Sequence, residues 1–290
     1  MSIDYKAQGY RDLLISLDRG VAVVTINRPK QRNTFGGTLP QELEAVFELL
    51  DLDDRVRVVI LTADTKAPAF CSGADLSGGW GGLFHVHRDS GGKVSMAIFR
   101  CRKITIAAVN GHAVGVGVTG LQLPFDFRFV WAGAKLALPF VRRGIAVEAG
   151  ASFLLPRLVG HAKATALLLT GGTFSPDSPY LQGLYHDILP TREAVLPTAL
   201  AFARELAENT SMTSVASTKA LLSRGVDSIE GQHLIDSRVL ADLARSDDAA
   251  EGARAFIERR PVQFKDTLKN LSEHIPWWTS PDTSFRRTKL

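Results

Sequence analysis

Two glycine turns constrain this chain more than any other feature. Each follows an apolar, β-branched run that reads as a buried strand, residues 57–62 and 104–109. The first turn carries Ala69-Phe70-Cys71-Ser72-Gly73-Ala74-Asp75-Leu76, and the second Asn110-Gly111-His112-Ala113-Val114-Gly115-Val116-Gly117. Helical patterns lie between the strands, and such alternation is the pattern of an α/β fold. Glycine at the turns lets backbone or ligand approach where a Cβ would collide.

The flanking segments fit that frame. Residues 13–18 and 21–27 are two strand-like runs around Arg19-Gly20, which predicts an opening hairpin. Leu39, Leu43, Val46, Phe47 and Leu50 recur at helical spacing behind Thr38 and Gln41, placed like a capping box. Residues 125–131 predict another strand, whereas 191–209, 212–222, 228–244 and 248–258 read as helices only. A boundary near Pro190 is therefore expected, between a catalytic core over 1–190 and a helical region with a tail over 191–290.

Composition narrows the function. No uninterrupted apolar run reaches the roughly 18 to 20 residues of a membrane span, and residues 1–20 lack the layout of a secretory signal. With only Cys71 and Cys101, neither a disulfide framework nor a structural zinc is expected. The net charge of +4 includes no block of like charges, so nucleic acid is not implied.

Taken with Ile26-Asn27-Arg28-Pro29 and Asn33, the two glycine turns resemble the signature of the crotonase (enoyl-CoA hydratase/isomerase) superfamily over about residues 10–260. The resemblance implies a spiral of repeated ββα units, followed by a C-terminal helical region that forms a homotrimer or a dimer of trimers. It implies an acyl-CoA thioester as substrate, with no cofactor beyond the CoA that the substrate carries. It also implies an oxyanion hole from the main-chain N–H groups of Ala74 and Val116, fixed dipoles aimed at the oxygen where charge collects when the α-carbon loses a proton. Arg28 and Lys30 fall where the family contacts the CoA nucleotide. Ala69, Phe70, Cys71, Ser72 and Gly73 line the CoA-side loop, and Trp80 lies in the glycine-rich segment 77–92, a candidate wall of the acyl pocket.

The carboxylate positions bear on the reaction. The two glutamates of the family's hydratases correspond here to Thr119 and Phe140, which cannot ionise, so simple hydration is disfavoured. Phe140 is instead expected to face substrate. Glu148 matches the single glutamate of peroxisomal Δ3,Δ2-enoyl-CoA isomerases, and one base suffices to carry a proton from C2 to C4 of a 3-enoyl thioester. Ile145, Ala146, Val147 and Ala149 would desolvate its carboxylate and raise its pKa, and a helix starting at Ala149 would oppose that rise. Other crotonase-type chemistry, or acyl-CoA binding without catalysis, stays open. The ending Thr288-Lys289-Leu290 resembles a peroxisomal address read by an import receptor.

Single features carry weaker signals. Gly115-Val116-Gly117-Val118-Thr119-Gly120 fits the dinucleotide pattern but lacks a downstream acid. His85 and His87 have no evident third metal ligand, and Cys71 has no activating histidine.

Overall fold

The computed structural model describes residues 3–77, 79, 84, 85 and 88–271. Trp80, His87 and the tail that ends in Thr288-Lys289-Leu290 lie outside the described residues.

The chain opens with β1 (Leu13–Asp18) and β2 (Val21–Ile26), followed by α1 (Leu39–Leu52), β3 (Val58–Ala63) and β4 (Ala69–Cys71). Then come β5 (Phe84–His85), β6 (Arg88–Asp89), α2 (Ser90–Arg100), β7 (Ile104–Val109), β8 (His112–Val114) and the short α3 (Val116–Thr119). β9 (Phe127–Trp131), β10 (Leu136–Ala137), α4 (Ala151–Val159), α5 (His161–Thr170), β11 (Thr173–Phe174) and β12 (Asp187–Leu189) complete the mixed region. Four helices follow: α6 (Arg192–Asn209), α7 (Met212–Arg224), α8 (Ile229–Leu243) and α9 (Asp247–Glu258).

Six strands form the main sheet in the order β1-β2-β3-β7-β9-β12, with β1 antiparallel to β2 and every later pair parallel. The opening turn is tight because Arg19 and Gly20 both adopt positive φ, 45° and 79°, matching the twist of a two-residue hairpin. β3 and β7 are buried at all six positions, as parallel strands covered on both faces must be, while β1 alternates because it is an edge. A second sheet, β11-β10-β8-β4, takes the strands that leave both glycine turns, with β4 and β10 each parallel to β8. Two ββ steps off adjacent main-sheet strands thus carry both turns to one place.

Helix α1 buries Leu39, Leu43, Val46, Phe47 and Leu50, the stripe that its spacing predicts. Each such side chain contributes roughly 1.5–3 kcal/mol, and Phe47 meets Phe125 edge to face at 5.8 Å. The capping box does not form. Thr38 is the N-cap, but its hydroxyl donates to Asp12 Oδ2 at 2.9 Å, so the side chain ties the helix start to the chain before β1.

The residues group into two compact units that divide between Glu208 and Asn209, later than the boundary expected near Pro190. Helix α6 accounts for the difference, since it belongs to the first unit. Its Phe202 stacks on Phe127, Phe129 and His186, and Arg192 donates to the carbonyls of Asn110 and Ala67. In the second unit, Met212 and Ala216 of α7 pack on Leu268, and buried Asp248 accepts from the N–H groups of Lys265 and Asp266.

Candidate active site

The glycine turns and the stretch after β10 enclose a mainly apolar cavity of about 500 Å³. Its wall includes Ser72, Gly73, Ala74, Val116, Phe140 and Glu148, so six of the twelve residues singled out in the sequence meet there.

The first turn is held open by local geometry. Gly73 has φ +99°, and a Cβ on it would come within 3.2 Å of the Val114 carbonyl. Phe35 N–H donates to Gly73 O and Asp75 N–H donates to Phe35 O. Because successive N–H groups of extended chain point to opposite sides, Ala74 N–H is turned away from Phe35, and Ala74 itself lines the cavity. Val116 is the first residue of α3, where an N–H has no preceding helical carbonyl to bond. Among the described residues, neither amide donates a backbone hydrogen bond. Two unspent donors in one apolar cavity suit an oxygen that gains negative charge.

Glu148 is half-buried and lines the cavity together with the Ile145, Ala146 and Val147 that precede it. Burial pushes its carboxyl up to about 8, with a smaller contribution from the charge of Asp89, and outweighs the lowering effect of the Thr119 hydroxyl, which donates to Glu148 Oε1. The helix expected at Ala149 begins at Ala151, and Ala149 and Gly150 take left-handed turns, φ 59° and 72°. Desolvation is the largest influence on the carboxyl group. Thr119, at a position where hydratases carry an acid, is fully buried and serves the remaining acid as a donor.

The other expected contacts lie elsewhere. Ala69, Phe70 and Cys71 form buried strand β4 and are not part of the cavity wall. Burial holds the Cys71 thiol neutral, up to about 12, unsuited to nucleophilic attack. Arg28 sits 3.5 Å from Asp12 and donates to the carbonyls of Thr34 and Gly36, which braces the chain next to the first turn. Lys30 is exposed on the one-turn helix Pro29–Gln31. Asp75 and Asp126 hold turns, accepting from Ser77 N–H and from Thr105. Asn33 bridges Arg28 N–H to the Ala69 carbonyl.

Asp89, Arg143 and Phe35 line the cavity without having been marked in the sequence. For Asp89 a signal existed: it precedes Ser90-Gly91-Gly92 and caps α2, a helix start that an aspartate announces. Its approach to Glu148 depends on residues 59 positions apart and has no local signature.

Comparisons with known proteins bear on the family. The family model described as enoyl-CoA hydratase/isomerase matches residues 16–267. An enoyl-CoA hydratase of Alternaria alternata is 40% identical over 87% of this chain and 86% of its own length. A mevalonyl-coenzyme A hydratase of Beauveria bassiana is 33% identical, covering 85% and 92%, and a 1,2-epoxyphenylacetyl-CoA isomerase of Escherichia coli is 28% identical, covering 87% and 97%. The crystal structure of an enoyl-CoA hydratase from Bacillus anthracis superposes with a TM-score of 0.80 at 27% identity, covering 88% of this chain and 99% of that one. Two glycine turns on adjacent parallel strands, two unspent amides and a carboxyl group facing one cavity thus come with matches along nearly the whole chain, and the chain belongs to the enoyl-CoA hydratase/isomerase family, the crotonase superfamily.

Proposed function

We propose that this enzyme moves the double bond of a 3-enoyl-CoA to the 2 position, with Glu148 as the proton carrier. The reading rests on one observation: a single glutamate with a raised pKa shares an apolar cavity with the free N–H groups of Ala74 and Val116. The thioester oxygen accepts from both amides. Ionised Glu148 takes a proton from C2, the charge spreads over the dienolate and its oxygen, and the protonated carboxyl returns the proton to C4. Near pH 8 both forms of the carboxyl are populated, which suits a group that must take and give the same proton.

The test is incubation of a 3-enoyl-CoA in heavy water, following the conjugated thioester by absorbance and deuterium at C2 and C4 by mass spectrometry. Formation of the 2-enoyl product that disappears in Glu148→Gln supports the reading. Absence of both product and exchange overturns it. We also propose self-association through the second unit, where Leu222, Ile229, Leu234, Leu240, Phe256 and Ile257 stand exposed; light scattering on the purified protein reads the state. Water addition, the activity in the names of the Alternaria, Beauveria and Bacillus relatives, needs a second proton-transfer group, which neither Thr119 nor Phe140 supplies.

A further inference from the structure

Thr119 carries one hydroxyl hydrogen and stands between two acceptors. Its Oγ1 lies 3.2 Å from the Gly115 carbonyl oxygen and in hydrogen-bond contact with Glu148 Oε1. The residue is fully buried, and its hydroxyl faces these two groups. A hydroxyl has a single hydrogen to donate. Two arrangements therefore differ only in where that hydrogen points.

A threonine hydroxyl turned to the carbonyl four residues back is common in helices. Here that carbonyl has a particular place. Gly115 C=O and Val116 N–H belong to one peptide group, and in a planar trans peptide they point in opposite directions. The carbonyl faces α3, where the N–H groups of Val118 and Thr119 donate to it at 2.8 and 3.0 Å, and the N–H is one of the two amides assigned to the thioester oxygen. Gly115 sets this plane with φ 54° and ψ −118°, a conformation that residues with a Cβ avoid. A further donor on the carbonyl draws electron density across the peptide and makes its N–H a stronger donor.

The charge of Glu148 decides which acceptor takes the hydrogen. An ionised carboxylate is the stronger acceptor and holds it. Once the carboxyl has gained the C2 proton it is neutral, and the hydroxyl turns to Gly115 O. The other titratable groups around the carboxyl are Asp89, which caps α2, the neutral Cys71 thiol in β4, and Arg143, which lines the cavity from the stretch before Glu148. They are common to both arrangements.

We infer that Thr119 is a positioning residue that couples the two halves of the site: its hydroxyl holds ionised Glu148 toward C2 and, after that proton has moved, polarises the Gly115–Val116 peptide. The Val116 donor is thus strengthened while the thioester oxygen carries negative charge. No covalent bond of Thr119 forms or breaks. The inference rests on the roles proposed for Glu148 and Val116 and adds the link between them.

The test uses Thr119→Val and Thr119→Ala, which lose the hydroxyl, and Thr119→Ser, which keeps it, in the full chain with the melting temperature as the check on folding. Hexanoyl-CoA labelled with ¹³C at the thioester carbonyl has no double bond to move, and its isotope-edited infrared band reads how strongly that bond is polarised. From well above to well below the Glu148 titration near pH 8, the band is expected to move to lower frequency further in wild type and Thr119→Ser than in the hydroxyl-free variants. With trans-3-hexenoyl-CoA, the rise of kcat with pH is expected to shift upward by about one unit in those variants, because the ionised carboxyl has lost a donor. Their high-pH plateau is expected to fall about tenfold with KM within a few-fold, less than the loss of a whole oxyanion donor costs. A base of higher pKa is the stronger base, so a hydroxyl that served Glu148 alone would not lower the plateau. Equal band movements in wild type and a folded hydroxyl-free variant overturn the coupling, and isomerisation by the wild type then leaves the isomerase reading in place. A larger movement in wild type and Thr119→Ser without isomerisation supports the coupling and overturns that reading instead.

Discussion

Two acidic residues of the first unit, buried Asp53 and half-buried Glu148, are both desolvated and are driven in opposite directions. At Asp53, burial raises the carboxyl, but hydrogen bonds from Arg55 and Tyr5 outweigh it and hold the group down at about 2. Tyr5 Oη donates at 2.6 Å, and Arg55 reaches both carboxylate oxygens at 3.1 Å or less. At Glu148 burial meets one hydroxyl donor and a neighbouring carboxylate, and the group rises to about 8. The difference shows that desolvation alone does not set the charge of a buried acid. A cation and two donors make a permanent anion that ties the N-terminal segment to the end of α1, whereas a like charge makes an acid that can still exchange its proton.

Removal of each carboxylate breaks the comparison most sharply. Glu148→Gln is expected to lower kcat for 3-enoyl-CoA isomerisation by about 10² to 10⁴, with KM changed far less, because the amides of Ala74 and Val116 are untouched. Steady-state kinetics on a variant with unchanged circular dichroism decides it. Activity near that of the wild type would return Glu148 to a structural role.

The pH profile is the next largest effect. The base is the ionised form, so kcat for isomerisation is expected to rise about tenfold per pH unit below about 8 and to level above it. A profile already flat at pH 6 would contradict the elevated carboxyl.

Asp53 is expected to act on stability and not on rate. Asp53→Asn weakens charge-assisted bonds to Tyr5 and Arg55, worth about 1–3 kcal/mol in urea unfolding at pH 7. Since the folded-state pKa is depressed, that contribution is present above the ordinary value of 3.8 and is lost as pH falls through about 2. The gap between variant and wild type should therefore narrow below pH 4. Equal gaps at pH 3 and pH 7 would show that the ion pair is not its source.

The smallest effect has the opposite sign. For Glu148 the folded-state pKa is raised, so the stability present below the ordinary 4.5 is lost progressively as pH rises to about 8. Glu148→Gln does not pay this penalty and should melt higher than the wild type at pH 8.5, by ~2–4 °C for each kcal/mol of relief, with no difference at pH 4. A lower melting point at pH 8.5 would mean that the carboxylate is well solvated.

Strand and helix periods, the Arg19-Gly20 hairpin and the order of the two glycine turns were legible in the chain because each depends on neighbours in sequence. Phe47 and Leu50 could be assigned to a core by spacing alone, and Gly73 to a turn by residue type. The Thr38 cap and the Ala149 helix start differ from their local patterns because the threonine hydroxyl is drawn to Asp12, 26 residues away, and Ala149 and Gly150 take left-handed turns before the helix. Arg28 and β4 were legible as motif positions, but whether they touch ligand or brace the turn depends on what packs beside them.

By itself, the sequence determined the α/β class, the turns that free two amides, and a glutamate set in apolar surroundings, since propensity, periodicity and glycine geometry act over a few residues. Only the tertiary structure decided that Glu148 is elevated and that Asp89 lies near enough to add to the rise. Burial and charge proximity are sums over the groups around a site, and here they come from β6, α2, α3 and the segment before α4, which meet only when the chain has folded.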